Sequence, residues 1–442
     1  MQPTSIQLVG AAIFGIAVLH TFLVKKIEHF AHHYPEDSMM RKTLHFFCEV
    51  EAVFGIWSLV FLTIYSFMEG FMVHDEHHNL VGGALKYLES QNYTEPAFVF
   101  VIMCMAGTKP MIVFAEKLIR IFAKIIPLSS TMAFYSATLI AGPLLGSFIT
   151  EPAAMTLTAL ILYNYFYTKE MTRKFKYATV GLLFVNVSIG GTLSHFAAPP
   201  VLMVAGKWHW GMMYMLGHFG YKAVVSIIIS TFLMTFMFKD ELIKIQNKQE
   251  NQKKDDKSAC TPCIPCWITV LQIVFMGLVV YTAHHMVFFL ALFLFFMGFT
   301  SITSQYQEPL KIRESLFVGF FLAGLVTLGS MQQWWLQEVL TKMGDFTLYV
   351  GATLLTAVTD NAALTYLGSL VPGLQDSAKH ALVSGAVVGG GLTVIANAPN
   401  PAGYGILKST FGEEGIAPVP LLLGALGPTL VAFISFQFLP HL

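Results

Sequence analysis

The chain has 442 residues, of which 55% are hydrophobic and only 12% charged, with a formal net charge of zero. Soluble domains carry about 25% charged residues, so a large polytopic membrane protein is the class that fits. The balanced charge gives no support to nucleic acid as a partner, and five cysteines, with Cys48 and Cys104 inside apolar stretches, do not make a disulfide framework.

The first apolar segment runs from Ser5 to Val24 and is followed by Lys25 and Lys26. It lacks the basic leader of a cleaved signal peptide, so it is read as a retained span with its N-terminus outside. A second segment covers Leu44 to Met68, and an acidic, histidine-rich outer loop follows, with His74, His77 and His78 as weak transition-metal candidates. Segment three begins at Pro96 and is broken at Ala106-Gly-Thr-Lys-Pro110. Lys109 in that break is a candidate counter-charge to a buried acid, or a lysine whose stem reaches the interface.

The apolar stretch 129–167 has basic residues at both ends. The positive-inside rule places both ends in the cytoplasm, so the stretch is read as a re-entrant hairpin with Glu151 near its tip. Residues 175–206 form a span broken at Gly191-Thr-Leu-Ser-His-Phe-Ala-Ala-Pro-Pro200, and Met212 to Phe238 cross back. The lysine-rich stretch 239–257 is expected to be a flexible cytoplasmic loop. Cys260, Cys263 and Cys266 follow in a Cys-x-x-Cys-x-x-Cys run, a weak zinc candidate without an obvious fourth ligand. An extra span covers 264–283, and two more follow from Met286 to Thr303 and from Ser315 to about Trp335. A second hairpin, 346–370, then enters from the outside. Residues 381–407 form a second broken span, with the break at Gly390-Gly-Leu-Thr-Val-Ile-Ala-Asn-Ala-Pro399, and Pro418 to Leu439 close the chain.

Thr150-Glu-Pro-Ala-Ala-Met-Thr156 reads almost letter for letter against Thr359-Asp-Asn-Ala-Ala-Leu-Thr365. Paired interrupted segments in two halves point to the binding site of a secondary transporter. The expected fold is therefore all-α, with about ten spanning helices, two re-entrant hairpins and two broken helices. Residues 1–43 form an N-terminal helix and amphipathic stretch, 44–238 and 284–442 the two inverted repeats, and 239–263 a cytoplasmic linker. Both termini are expected outside.

Carboxylates inside a membrane are functional candidates by default, which singles out Glu151 and Asp360. A sodium ion needs several oxygen ligands, and Thr150, Thr156, Ser194, Thr359, Asn361, Thr365, Thr393, Asn397 and Asn400 could supply them. A carboxyl held away from water can exchange a proton near neutral pH, so sodium and a proton could compete for one group. The competing reading is that each acid caps the half-helix that follows it. His195, in the first break, is a candidate proton sensor or a hydrogen-bonded core histidine. No Walker A, Gly-x-Ser-x-Gly or His-Glu-x-x-His motif is present, which argues against ATP-driven pumping and the commonest hydrolase chemistries.

This arrangement resembles the ion-transporter superfamily, which includes divalent-anion/sodium symporters, arsenite-efflux permeases and sodium/proton antiporters. The Glu151-Pro152-Ala153-Ala154 and Thr359-Asp360-Asn361 tips look most like a bacterial family of sodium/proton antiporters. The symporters' Ser-Asn-Thr motif stands at none of the four breaks. The resemblance implies a homodimer in the bacterial inner membrane, with a scaffold domain and a moving transport domain. It also implies sodium and protons as transported ions and no cofactor. A sodium-coupled anion symporter or an anion-efflux permease is the alternative on the same fold, and an intramembrane enzyme using Glu151 and Asp360 is a remote one.

Overall fold

The computed structural model describes residues 3–31, 33–35, 37–75, 77, 79–169, 171–252, 264–412 and 415–440, and the chain is mostly helical. His78, Cys260 and Cys263 lie outside the described residues.

Helix α1 (Ser5–Ala31) leads to α2 (Met39–Cys48) and α3 (Val50–Glu69), which meet at an extended Glu49. A small antiparallel pair, β1 (Val73–His74) and β2 (Leu80–Gly82), departs from the all-α expectation. Asp75 organises its turn, accepting from Asn79 N at 2.8 Å and His77 N at 2.9 Å. Those bonds, Asn79's backbone N–H foremost, hold the Asp75 carboxyl below its usual range. This is a hydrogen-bonded loop. Among the described residues no three His, Cys, Asp or Glu side chains stand together as metal ligands. His74 and His77 thus join no such group among the described residues, and Cys266 is the exposed first residue of α14 (Cys266–Tyr281).

After α4 (Gly83–Glu89), α5 (Thr94–Ala106) and α6 (Lys109–Ala123) meet at an angle of 71° at the expected break. Helices α7 (Ser130–Ile149) and α8 (Glu151–Leu162) pack along one another after the chain reverses at Thr150. A second interrupted element comprises α9 (Arg173–Gly190) and α10 (Pro199–Trp208). A π-turn joins α11 (Met212–Met215) to α12 (Tyr221–Met237).

The stretch expected to be a flexible loop is instead helical as α13 (Lys239–Gln252), with Leu242 and Ile245 buried in the core. Two apolar residues three apart give a charged helix one anchoring face. Helices α14 and α15 (Met286–Ile302) pair with each other. Next come α16 (Ile312–Gly329), α17 (Gln333–Leu340), α18 (Asp345–Thr356) and α19 (Asn361–Ser369). The chain ends with α20 (Asp376–Gly389), α21 (Asn400–Leu407) and α22 (Pro418–Phe438).

Five helical stretches among the described residues are long and apolar enough to cross a membrane, or six if the bent α5–α6 pair counts as one. Helix α7 is one of them, and 72% of its span is buried inside the protein. Three shorter apolar stretches lie in α1, α14 and α15.

Packing divides the helices into two groups. In one, α3 and α5 flank α16, α1 covers α3, and α14 and α15 lie against α5. In the other, α9, α12, α20 and α22 pack together, with α7 against α9 and α18 against α20. Two crossed contacts complete the second group: α8 lies on α21, and α19 lies on α10. Each turned-back pair thus meets the far half of the other interrupted helix.

Candidate functional site

Thr150 adopts φ 73°, ψ 150°, one of only two non-glycine residues with positive φ among those described. Such a conformation costs about 1–3 kcal/mol and persists where the surroundings impose it. Here it turns α7 into α8 and buries Glu151, the first residue of α8, completely. Oε2 of Glu151 accepts a 3.0 Å hydrogen bond from Asn397 Nδ2 in the second break. Its other side lies on the backbone of Gly191 in the first break, where an added Cβ would come within 2.6 Å of Glu151 Cγ. No basic side chain among the described residues forms an ion pair with Glu151, and the Asp360 carboxylate lies within electrostatic range.

The second turn is built differently. Asp360 is the N-cap of α19, its Oδ1 accepting from Ala362 N at 2.8 Å and Ala363 N at 3.1 Å. Such a cap satisfies helix donors that would otherwise be orphaned. Asn361 is the first helical residue and is completely buried. It lies on Gly390, where an added Cβ would come within 2.7 Å of Asn361 Nδ2. Glu151 on Gly191 is therefore matched by Asn361 on Gly390. The sequence motif aligns the two acids, but the backbone aligns Glu151 with Asn361.

Both breaks are held by side chains from their surroundings. Asn400 Nδ2 donates to Gly390 O and Thr393 O, each at 2.8 Å. Ser188 Oγ donates to Val387 O at 2.7 Å, tying α9 to α20. Ser147 Oγ donates to Gly190 O and accepts from Leu193 N. Several side-chain oxygens remain buried without a partner among the described residues: Thr150 Oγ1, Glu151 Oε1, Ser194 Oγ, Asn361 Oδ1, Asn397 Oδ1 and Asn400 Oδ1. Buried polar groups are normally paired. Oxygens of this kind are the ligand type that a hard cation takes.

The other candidate residues are placed elsewhere or already engaged. Thr359 Oγ1 donates to Leu355 O, Thr365 Oγ1 to Ala362 O and Thr393 Oγ1 to Ala357 O. Thr156 faces a cavity beside α8. The Lys109 ammonium pairs with Glu308 at 3.1 Å rather than with either hairpin acid, because it opens α6 at the partly exposed end of the α5–α6 bend. His195 lines a narrow cavity with Glu95 and His284, and its Nδ1 is buried without a partner. Sequence reasoning missed the glycine platforms and Ser188. The pairs Gly190-Gly191 and Gly389-Gly390, at matching places in the two breaks, were the available signal. It also missed Lys222, buried on α12, whose Nζ donates to Phe436 O near the end of α22 at 3.1 Å.

A family model described as "Putative Na+/H+ antiporter" matches residues 5–439. No curated protein matches the chain. Among solved structures, the chain is similar to the YdaH transporter of Alcanivorax borkumensis, at 10% identity and a TM-score of 0.37, covering 88% of this chain and 96% of that one.

Proposed function

The chain belongs to this Na+/H+ antiporter family, and on that premise we propose that it exchanges sodium for protons at Glu151 by alternating access. The family is one of transporters, not enzymes, and the chain's apolar helices suit a multi-pass membrane protein. The observation that carries the sodium/proton reading is Glu151 itself: a completely buried carboxyl with an amide donor on one oxygen and, among the described residues, no partner on the other and no basic counter-ion. An ionised carboxylate in that position costs several kcal/mol unless a charge offsets it. A proton or a sodium ion can do so, and each excludes the other. Thr150, Ser194, Asn361, Asn397 and Asn400 supply the neutral oxygens around the ion.

Asp360 is assigned to helix capping, so the exchange is carried by one carboxyl. An anion substrate suits the site less well: Glu151 and Asp360 both contribute negative charge, and Lys109 is spent on Glu308.

In this reading α7–α8 and α18–α19 are re-entrant hairpins entering from opposite sides. The two crossed contacts, α8 on α21 and α19 on α10, are what inverted repeats would produce. Ten crossings then consist of α1, α3, α5–α6, α9–α10, α11–α12, α14, α15, α16–α17, α20–α21 and α22. The group around α9, α12, α20 and α22 moves, and the group around α3, α5 and α16 is the scaffold. The distribution of lysine and arginine puts both termini outside, and the family resemblance supports a homodimer in the bacterial inner membrane.

The test is exchange by purified protein in liposomes carrying an internal pH dye. A sodium gradient should move protons in the wild type. If sodium, lithium and potassium all fail to do so, the reading is wrong.

A further inference from the structure

A cavity of about 320 Å³ separates the two helix groups beside α8. On one wall are Pro152 and Thr156 of α8 with Pro401 and Ala402 of α21; on the other are Met103 and Gly107 at the α5–α6 bend, with Lys311, Glu314 and Ser315 at the start of α16. Its lining includes Pro152, one residue beyond Glu151. Its mouth carries the charges that the positive-inside rule assigns to the cytoplasm.

That mouth is arranged for competition between cations. Glu314 is the acidic side chain of the lining and is exposed. Lys311 stands one helical turn earlier, the distance at which side chains on a helix meet. Its stem passes over Gly107, where an added Cβ would lie 3.8 Å from Lys311 Cδ; its ammonium makes no ion pair among the described residues, with Glu314 and Glu308 within electrostatic range. Lys109 holds Glu308 from the other side at 3.1 Å. The Lys311 ammonium is thus a nearby positive charge that repels an incoming cation, while the Glu314 carboxylate attracts it.

We infer that this cavity is the cytoplasmic sodium path, with Glu314 as its outermost carboxylate ligand and Lys311 as a fixed positive charge beside it that opposes sodium entry. The inference rests on the sodium/proton reading of Glu151 and adds the residues that set apparent sodium affinity from one side. Because the two side chains act in opposite directions, their removal shifts the affinity oppositely. A structural role shared by the two would not produce that split.

The experiment measures the sodium concentration giving half-maximal exchange, applied at the cytoplasmic face of reconstituted protein. Glu314→Gln should raise it several-fold and Lys311→Gln should lower it several-fold. Equal half-saturation in all three proteins would overturn the inference. A second readout needs no turnover: Ala402→Cys, in a background whose other cysteines are serine, reacts with a charged, membrane-impermeant thiol reagent. Sodium, compared with choline at equal concentration, should slow that reaction in the Ala402→Cys protein and do so less after Glu314→Gln. Loss of that protection would remove the path even if exchange were observed. Protection without any exchange in the wild type would retain the cation path and instead overturn sodium/proton exchange.

Discussion

Asp360 and Asn361 differ by one position in the chain, and that one position separates a helix cap from a buried ligand. Oδ1 of Asp360 is already committed to two backbone N–H groups of α19. Asparagine caps about as well as aspartate, whereas alanine at an N-cap costs about 1 kcal/mol. Asp360→Asn should therefore keep both thermal stability and sodium-driven exchange, while Asp360→Ala should unfold at lower temperature; a melting curve with a paired transport assay checks both. Gly191→Ala tests the other tip. Its methyl group would occupy the place of the Glu151 carboxyl, so exchange should fall at least tenfold while the protein still elutes as a folded species on size exclusion.

The two motifs made the turns legible, and with them Glu151, Asn361 and the amide-bearing second break. The cap assignment was not legible, because Thr150-Glu151 and Thr359-Asp360 offer equivalent residue types at the same spacing. Only backbone geometry, with Thr150 at positive φ, distinguishes them. For Lys109 the sequence left two readings open, a counter-charge to a buried acid or a stem reaching the interface, and only the 71° bend shows that it meets Glu308.

At the scale of helices, the interrupted elements were readable because proline and glycine mark where backbone hydrogen bonding stops. Breaks after Gly190 and Gly389 lie within the predicted stretches. Helix α13 was hidden because only Leu242 and Ile245 anchor its charged surface. Close helix crossings were also hidden. Helices α9 and α22 approach so closely that a Cβ on Gly181 would lie 2.5 Å from Ala425 N. In a membrane such small-residue contacts supply the packing that water-driven burial cannot. Gly181→Val should force the two helices apart at a cost of about 1–3 kcal/mol. The expected outcome is a lower melting temperature in detergent, with residual exchange by whatever protein remains folded.

Among the described residues, one cavity reaches each of the two turned-back tips. One, of about 320 Å³, reaches Pro152 and Thr156; the other, of about 210 Å³, is lined mainly by apolar residues and reaches Thr359 and Asp360. Alternating access requires that these open in turn as one helix group moves past the other. Met103 and Ala402 face the first cavity from opposite groups. A disulfide between cysteines at these two positions, in a background free of other cysteines, should hold that cavity in one state. Exchange should stop on oxidation and return on reduction, whereas unchanged exchange in the cross-linked protein would show that the groups do not move relative to each other there.

The most direct test of the account is the sodium dependence of proton movement in liposomes holding either wild type or Glu151→Gln. The account predicts sodium-driven alkalinisation or acidification, according to gradient direction, for wild type and none for Glu151→Gln, with both proteins equally folded and reconstituted. Exchange by Glu151→Gln at the wild-type rate would contradict it, because the buried carboxyl that is left without a basic partner among the described residues would then carry neither ion.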